Sequence, residues 1–391
     1  MPNANQNLEN IYTSHQIGVN RFANSEARKF VATVDKTTSD LTGLVFEISE
    51  NATGTLTETE AQRWARYEKK VGKLRGGAIA DAAGSLDSGL NDLVAHEVSY
   101  TQTALQAAIP VKLSITVPDI NPATIVQKHA YNGQTFGQMM GNLADSDVTR
   151  IVAETRAGVN AGQTSTNIVR RIIGTRRNNY TDGVVNITRN NANTVVRTLT
   201  NGVANETRRQ MHDANRDIIK KERYTATLDG RTTQICGSLD GNLFEVGDGP
   251  QPPLHFNCRS TRVPVTDLDI VGDRPFVRDT RTRRFREMDF RKEAKASAGS
   301  KWKSMTVQQR NSAIKSRRTK WARENIGTTS SRTDYQSWLK SQPPKFQDSV
   351  LGKKKGKLFR NRGLTMEQMV DKSGNPYSLK ELETMHKGMF K

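Results

Sequence analysis

The sequence changes abruptly at Tyr224, from a long helical pattern to short extended runs. Residues 178–222 form the longest periodic stretch, and apolar residues recur in it at helical spacing. These apolar residues are Ile187, Val195, Leu199, Val203, Met211 and Ile218. The runs YTATLDG, LDGNLFEV and STRVPV then predict three short strands joined by Gly and Pro turns, a β-meander at residues 223–265. Because a sheet of roughly 40 residues is too small to be stable alone, we expect it to pack on the long helix before it or to be held by a metal or a crosslink.

The rest of the chain is mostly helical in pattern. In the first half, apolar residues recur at helical spacing, and stop signals such as Pro110 follow them. In the tail, Thr365 with Gln368 and Ser378 with Glu381 stand at capping-box spacing, which is typical of folded helices. The sequence therefore predicts an α+β protein with a mostly helical N-terminal half and a basic, mainly helical C-terminal region.

Three regions follow from these patterns. They are a helical docking region at residues 1–120, a domain of helices and β-meander at residues 121–270, and a basic region at residues 271–391. Only 35% of the residues are hydrophobic, which is low for a compact protein of this length. We therefore expect elongated parts, or segments that become ordered against a partner.

Positive charge is concentrated in one part of the chain. The 59 Lys and Arg residues exceed the 40 Asp and Glu residues by 19. Residues 272–362 hold 26 of these basic residues and 8 of the acidic ones, a balance of +18, so nearly all of the excess lies there. Such a segment predicts contact with a polyanion, most often nucleic acid, or with an acidic protein. The candidate DNA-binding residues are Arg281, Arg283, Arg284, Arg286, Arg317, Arg318, Lys320, Lys353, Lys354, Lys355 and Lys357.

Three tryptophans, Trp302, Trp321 and Trp338, lie among these charges. Exposed aromatic side chains in a basic segment can stack on the bases of single-stranded nucleic acid. The helix start and stop signals in KWAREN and WLKSQPPKF instead favour small cores between the C-terminal helices. We therefore expect the three indole rings to be packed inside the protein.

The N-terminal sequence MPNANQNLENIYTSHQ is polar and has no apolar segment of the kind that a secretory signal needs. No apolar run in the sequence is long enough to span a membrane. Two cysteines in 391 residues also argue against a fold built on disulfides. We expect a soluble protein that is made in a reducing cytoplasm and has no membrane partner.

Cys236, His255 and Cys258 are three potential metal ligands in one short segment. A zinc site with the spacing C-x2-C before H-x2-C would have its first cysteine at position 233, which is Thr233. A site with only three protein ligands would be open, as catalytic zinc sites are. The groups that could supply a fourth ligand are Asp229, Asp240, Thr233 and water.

The same residues also fit structural roles, which we favour. His255 can donate to a backbone carbonyl while each cysteine packs as a small buried side chain, and a Cys236–Cys258 disulfide across the meander is a further alternative. A catalytic Cys/His pair is weaker, because no Asn or Asp is clearly placed to orient the imidazole and no helix N-terminus is predicted to lower a thiol pKa. The sequence contains no zinc-deaminase motif, P-loop or G-x-G-x-x-G.

The segment TLDGRTTQICGSLDGNLFEVGDGPQPPLHFNCRS, residues 227–260, resembles the signature of the phage Mu F-like head morphogenesis proteins, also called minor capsid or minor head proteins. That signature contains T-L-D-x-R-T, a cysteine, L-D-G, an extended run and P-P-x-H-x-N-C-R. Its members here are Thr227, Leu228, Asp229, Arg231, Thr232, Cys236, Leu239, Asp240, Gly241, Pro252, Pro253, His255, Asn257, Cys258 and Arg259. Thr233 stands where many family members have a first cysteine, which weakens the zinc interpretation.

The resemblance implies a virion protein present in few copies, which associates with the portal and other head proteins during assembly in the host cytoplasm. Some members of this family also bind double-stranded DNA nonspecifically. The resemblance implies neither an enzyme nor a cofactor. The predicted function is head assembly and DNA packaging or ejection at the portal vertex, through binding. One alternative is a zinc-dependent hydrolase or nuclease using Cys236, His255 and Cys258. The other is a nonspecific nucleic-acid-binding protein unrelated to capsids.

Overall fold

The computed structural model describes residues 4–50, 59–108, 114–128, 131–266, 273–330, 333–371 and 373–390. In the N-terminal half the α-helices are α1 (Ala4–Asp35), α2 (Thr38–Glu50), α3 (Glu60–Val71), α4 (Gly77–Ala108), α5 (Pro122–Lys128), α6 (Phe136–Asn160), α7 (Ser165–Ile173) and α8 (Val185–Asp213). Further along they are α9 (Gln234–Leu239), α10 (Arg283–Ala298), α11 (Val307–Asn325), α12 (Tyr335–Lys340), α13 (Pro344–Leu351), α14 (Lys353–Asn361) and α15 (Leu379–Met385). The strands are β1 (Lys221–Thr225), β2 (Leu228–Asp229), β3 (Leu243–Glu245), β4 (Thr261–Val265), β5 (Asp273–Val277) and β6 (Ile326–Ser330). The predicted α+β class is confirmed.

The largest hydrophobic core lies between α1, α4, α6 and α8. Apolar residues at helical spacing on each of these helices face one another, as amphipathic helices require. Its side chains include Phe30, Leu90, Val94, Leu143, Val196, Leu199 and Val203. Because α1 and α4 pack directly on α8, the predicted boundary between the regions 1–120 and 121–270 falls inside a single core.

A second core lies between α2, α3, α6 and α7, and a buried ion pair stands beside it. Arg75, in a π-helical turn at Gly72–Gly76 between α3 and α4, donates to Asp147 of α6 at 2.7 Å. Asp147 also accepts a hydrogen bond from Thr188 of α8. Since both charges are fully buried, this pair fixes how α6 sits against the turn before α4.

Helix α8 contains many Asn, Thr and Arg residues, and several of them are buried rather than exposed to solvent. Asn201 and Asn205 each donate to the carbonyl of Ser260, just before β4, at 3.3 Å. The predicted packing of the long helix on the small sheet is therefore confirmed. Ile187, predicted on the apolar side, is 44% exposed because Val185 faces the core in that first turn.

The first sheet has the strand order β3-β1-β4, with β1 antiparallel to both neighbours. In a simple meander each strand would lie beside the next, whereas here β4 lies on the opposite side of β1 from β3. The chain reaches that position through residues 246–260, which contain the PPLHFNC part of the signature.

The second sheet was not expected from the sequence. Strand β5 pairs in parallel with β2 and antiparallel with β6, so two strands lie inside the basic region that was predicted as mainly helical. Their sequences, DRPFV and IGTTS, carry charge, proline and glycine, which disfavour strands in isolation.

The C-terminal tail packs into a hydrophobic core of its own, beside the second sheet. Its side chains include Phe276, Trp338, Leu339, Phe359, Met369 and Leu382. Ser378 with Glu381 forms the predicted capping box of α15, and Thr365 with Gln368 forms the same reciprocal pair of hydrogen bonds before a single 3-10 turn. The tail is therefore ordered structure, as these motifs predicted.

Arg208 of α8 is the centre of a buried polar cluster that joins four elements. Its Nε donates to Glu97 of α4 at 2.6 Å, and its Nη1 donates to Gln16 of α1 and Thr261 of β4 at 2.7 Å each. His15 lies 2.6 Å from the second oxygen of Glu97. Burial raises the pKa of Glu97, but Arg208 and His15 outweigh it and hold that pKa below its ordinary value.

We predict that Arg208→Met lowers the free energy of unfolding by about 3–5 kcal/mol, because Glu97 loses its fully buried counter-charge. Urea denaturation at neutral pH measures the loss. Arg209→Met is the matched control, since Arg209 pairs with Glu206 at a partly exposed surface and its loss is worth about 1 kcal/mol or less. If the two variants lose equal stability, His15 alone is a sufficient partner for Glu97 and the prediction is wrong.

Candidate functional site

The signature residues converge where β2, α9 and the loop before β4 meet. Asp229, at the end of β2, accepts hydrogen bonds from Arg259 at 2.6 and 2.8 Å and from Arg231 at 3.1 Å. Burial alone raises the pKa of Asp229, but the two guanidinium groups outweigh it and lower that pKa below its ordinary value. Thr232 closes the turn by donating to the carbonyl of Thr227. In this part of the signature, the ion pairs of Asp229 with Arg231 and Arg259 hold the turn after β2 in place.

The second Leu-Asp-Gly turn joins the two sheets. Asp240 accepts from the backbone N–H of Ala226 at 2.6 Å and from both Nη atoms of Arg274 in β5 at 2.8 Å. Gly241 adopts φ +87° and donates its N–H to the carbonyl of Tyr224 at 2.9 Å. A residue with a side chain is strained in that conformation, which explains the glycine.

The loop between β3 and β4 is fixed to α8 by its asparagine. The peptide bond between Pro252 and Pro253 is cis, and Asn257 follows with φ +59°. The N–H of Asn257 donates to Thr198 at 2.9 Å, and its side-chain amide donates to Thr194 at 3.3 Å. The polar face of α8 therefore holds the loop that carries His255 and Cys258.

Cys236, His255 and Cys258 lie together, as the sequence predicted. Their ligand atoms, the two Sγ atoms and a ring nitrogen, are within 4.8 Å of one another. Cys236 Sγ is 3.2 Å from His255 Nε2 and 3.8 Å from Cys258 Sγ, so the cysteines are free thiols and not a disulfide. Thr233 Oγ1 is 2.9 Å from His255 Nε2, on the same side of the ring. Asp229 and Asp240, two of the predicted fourth ligands, bind arginines instead.

The two thiols differ in their pKa values. A hydrogen bond with Cys258 and burial raise the pKa of Cys236 to about 12. The hydrogen bond from Cys236 lowers the pKa of Cys258 to about 6, against the effect of burial. Contrary to the sequence prediction, Cys236 does lie in the first turn of a helix, the six-residue α9, but this turn does not lower its pKa.

The arrangement offers little to nucleophilic catalysis. His255 Nδ1 lies 2.9 Å from the backbone carbonyl of Phe256, so the group that orients the imidazole is a neutral carbonyl. Asn257 faces α8 rather than the ring. The more acidic thiol, Cys258, is almost completely buried, which limits access by a substrate.

Seven of the candidate DNA-binding residues lie on or beside a two-helix hairpin. Helices α10 and α11 are joined by a 3-10 turn at Gly299–Lys303 and pack on each other through Phe290, Trp302 and Trp321. No side chain of α11 is fully buried. The hairpin residues are Arg281, just before α10, then Arg283, Arg284 and Arg286 on α10 and Arg317, Arg318 and Lys320 on α11. Lys353, Lys354, Lys355 and Lys357 lie apart on α14.

These candidates differ in how available their charges are. Arg281 pairs with Asp279 and Asp289, and Arg318 pairs with Glu287. By contrast, Arg283 and Arg284 are exposed and have no carboxylate partner among the residues that the structure describes. Those two positions, like the exposed Lys353, Lys354 and Lys357 of α14, are well placed to meet an external anion.

Other candidates are partly engaged inside the protein. The guanidinium of Arg286 lies over the ring of Trp321 at 4.8 Å, and Lys355 donates to the carbonyl of Tyr377 at 2.5 Å. Trp302 and Trp338 are buried, and Trp321 donates its N–H to Asp279 at 2.9 Å. The tryptophans therefore pack in the C-terminal helices, as expected, and do not form a stacking surface.

Arg197 of α8 extends the basic surface onto the signature, and the sequence analysis missed it. Partial desolvation and the neighbouring guanidinium groups of Arg231, Arg259 and Arg28 lower the pKa of Arg197, which shows that several positive charges are close together. Its position between Thr194 and Thr198, the residues that hold Asn257, could have indicated that it faces the signature loop.

A family model described as Phage Mu protein F like protein matches residues 149–263. The match includes α7, α8, most of the first sheet and the whole signature, and it confirms the resemblance to the phage Mu F-like head morphogenesis proteins. No curated protein and no solved structure shows significant similarity to the chain. Among the described residues, no helix has the length and apolar character of a membrane span.

We predict that Asp229→Asn lowers stability at neutral pH by about 2–3 kcal/mol, because Arg259 and Arg231 lose a charged acceptor. The folded-state pKa of Asp229 is below its unfolded value of about 3.9, so this stabilisation is present above that pH and is lost as the pH falls through the folded-state pKa. The gap between wild type and variant should therefore narrow as the pH falls below about 4.

Urea denaturation between pH 7 and pH 3 measures this gap. Asp81→Asn, at an exposed position on α4, is the control and should leave stability unchanged at every pH. A gap that stays constant down to pH 3 would show that the Asp229 carboxylate contributes through packing and not through its charge.

Proposed function

We propose that this chain is a minor head protein that acts at the portal vertex, binding the portal and making nonspecific contacts with duplex DNA during packaging or ejection. The match to the phage Mu F-like family over residues 149–263 carries the head-assembly part of this proposal. The basic hairpin of α10 and α11 carries the DNA part. The signature residues hold the fold together, which supports a function in binding rather than in catalysis.

The hairpin has the charge and shape of a DNA contact. Residues 283–325 include 14 Lys and Arg against 4 Asp and Glu, a balance of +10. Helix α11 has 19 residues and is therefore about 28 Å long, which corresponds to about eight base pairs of duplex at 3.4 Å each. Phosphates along one face of a duplex could thus contact exposed basic side chains along the whole hairpin, without any reading of sequence.

Truncation is a poor test of this proposal. Removing residues 272–391 would delete β5 and with it Arg274, the buried counter-charge of Asp240. Loss of DNA binding after such a deletion could come from unfolding of the signature. Substitutions of exposed residues separate the two effects.

We predict that Arg283→Gln with Arg284→Gln weakens duplex binding and reduces the slope of log affinity against log salt by about 1.8, because each lost phosphate contact removes about 0.9. Fluorescence anisotropy with a labelled duplex at several salt concentrations measures the slope. Lys69→Gln with Lys73→Gln removes the same charge from exposed positions of the N-terminal half and is the control. Equal slopes for the two double variants would exclude the hairpin as the contact.

We predict that the wild-type chain is recovered with the portal from assembling heads even after nuclease treatment. Affinity capture of the portal, followed by detection of this chain, measures the association. The Arg283→Gln/Arg284→Gln variant should be recovered with the portal to the same extent as the wild type, because the two charges that it loses contact DNA in this proposal. Recovery that disappears with nuclease would instead support a nucleic-acid-binding protein that does not bind the portal.

A further inference from the structure

We propose that Cys236, His255 and Cys258 bind one structural Zn²⁺ ion, whose fourth ligand is an oxygen at the position of Thr233. This inference concerns the signature itself and does not depend on portal or DNA binding. The ion would join the first turn of α9 to the loop before β4.

The sulfur atoms have the spacing that zinc needs. Two thiolates at about 2.3 Å from a tetrahedral zinc ion lie about 3.8 Å apart. Cys236 Sγ and Cys258 Sγ are 3.8 Å apart. A sulfur and an imidazole nitrogen on the same ion lie about 3.6 Å apart, and Cys236 Sγ is 3.2 Å from His255 Nε2. This sulfur–nitrogen distance is therefore about 0.4 Å shorter than the tetrahedral value.

The imidazole is already oriented as a ligand. His255 Nδ1 lies 2.9 Å from the carbonyl of Phe256, and an N–H donated there leaves the lone pair on Nε2. Zinc-binding histidines commonly make such an outer contact with a carbonyl or carboxylate. The hydroxyl of Tyr224 lies 3.2 Å from Cys236 Sγ and can donate to the sulfur, so this ligand also has an outer partner.

The fourth ligand of the proposed zinc ion is an oxygen atom. Thr233 Oγ1 is 2.9 Å from His255 Nε2, about 0.5 Å less than the separation of a nitrogen and an oxygen ligand on one tetrahedral zinc ion. Its hydroxyl, or a water molecule in its place, completes the site in the way that a third thiolate would if residue 233 were cysteine. Asp229 and Asp240 are held by arginines and do not compete for this role.

The charge of the site suits a buried position. Two thiolates and a neutral imidazole around Zn²⁺ give a net charge of zero, so burying the complex avoids the cost of an isolated buried charge. Binding releases the thiol protons to solvent. The surrounding core is small, consisting of Tyr224, Ala226 and the two cysteines, so a metal crosslink would supply stability that apolar burial there cannot.

The test is metal analysis of the full chain, purified under reducing conditions with Zn²⁺ present and then dialysed. We expect about one zinc per chain by elemental analysis. With Co²⁺ in place of Zn²⁺ we expect the visible absorption of a tetrahedral cobalt–thiolate site. Cys258→Ser should lose both signals, and His96→Ala, at an exposed histidine outside the site, should keep them.

Thr233→Cys keeps all three ligands and adds a third thiolate as the fourth ligand. It should raise zinc affinity at least about tenfold in competition with a chelator, and it tests the site even if Cys258→Ser fails to fold. A folded wild-type chain with neither zinc nor a cobalt spectrum would overturn the proposal. So would full zinc content in Cys258→Ser, which indicates an adventitious ion only, or a Thr233→Cys affinity equal to that of wild type.

Discussion

Arg274 and Asp240 form the buried ion pair that holds the two sheets together. Arg274 enters from β5, donates to both oxygens of Asp240, and donates again to the carbonyl of Ala226 at 2.5 Å. Burying two charges is favourable only when their geometry is good and their other hydrogen-bonding groups are satisfied, and both conditions hold here. Glu9 of α1 lies close enough to interact with Arg274, so the N-terminal helix also meets this junction. The C-terminal region is therefore bound to the signature by charge as well as by packing.

The interior of this protein contains many polar side chains, which explains the low share of hydrophobic residues in the sequence. Helix α8 buries Arg208 and several Asn and Thr residues, and Arg208 donates to partners on α1, α4 and β4. Arg75 pairs with Asp147 in the same way beside the second core. A chain with only 35% hydrophobic residues can still bury a large interior when its polar groups are paired in this way. The compactness of the N-terminal half thus depends on specific hydrogen bonds more than its amphipathic pattern indicates.

The signature residues divide into two groups according to what they contact. The carboxylates Asp229 and Asp240 bind arginines and set the backbone of the two Leu-Asp-Gly turns. Cys236, His255 and Cys258 instead form a compact donor cluster, which Thr233 contacts through His255. The basic hairpin lies outside both groups, although Arg286 on α10 is close enough to Arg231 and Asp229 to interact with their charges.

The sequence by itself determined features that depend on neighbours along the chain. Capping boxes at Ser378 and Thr365 and the turn glycine at 241 are of this kind, because a few consecutive torsions decide them. The signature residues predicted the resemblance to the phage Mu F-like family, with which residues 149–263 match, for the same reason.

Tertiary structure decided the contacts between distant segments. The parallel pairing of β2 with β5, the choice of arginines as partners for Asp229 and Asp240, and the exposure of Ile187 depend on which surfaces meet. The pairing of Arg281 and Arg318 with carboxylates, while Arg283 and Arg284 stay exposed, is invisible in a charge count for the same reason. The charge and periodicity of a segment indicate what it can bind. Which partner it does bind depends on Coulomb and packing energies, and these depend on distances that only the folded chain defines.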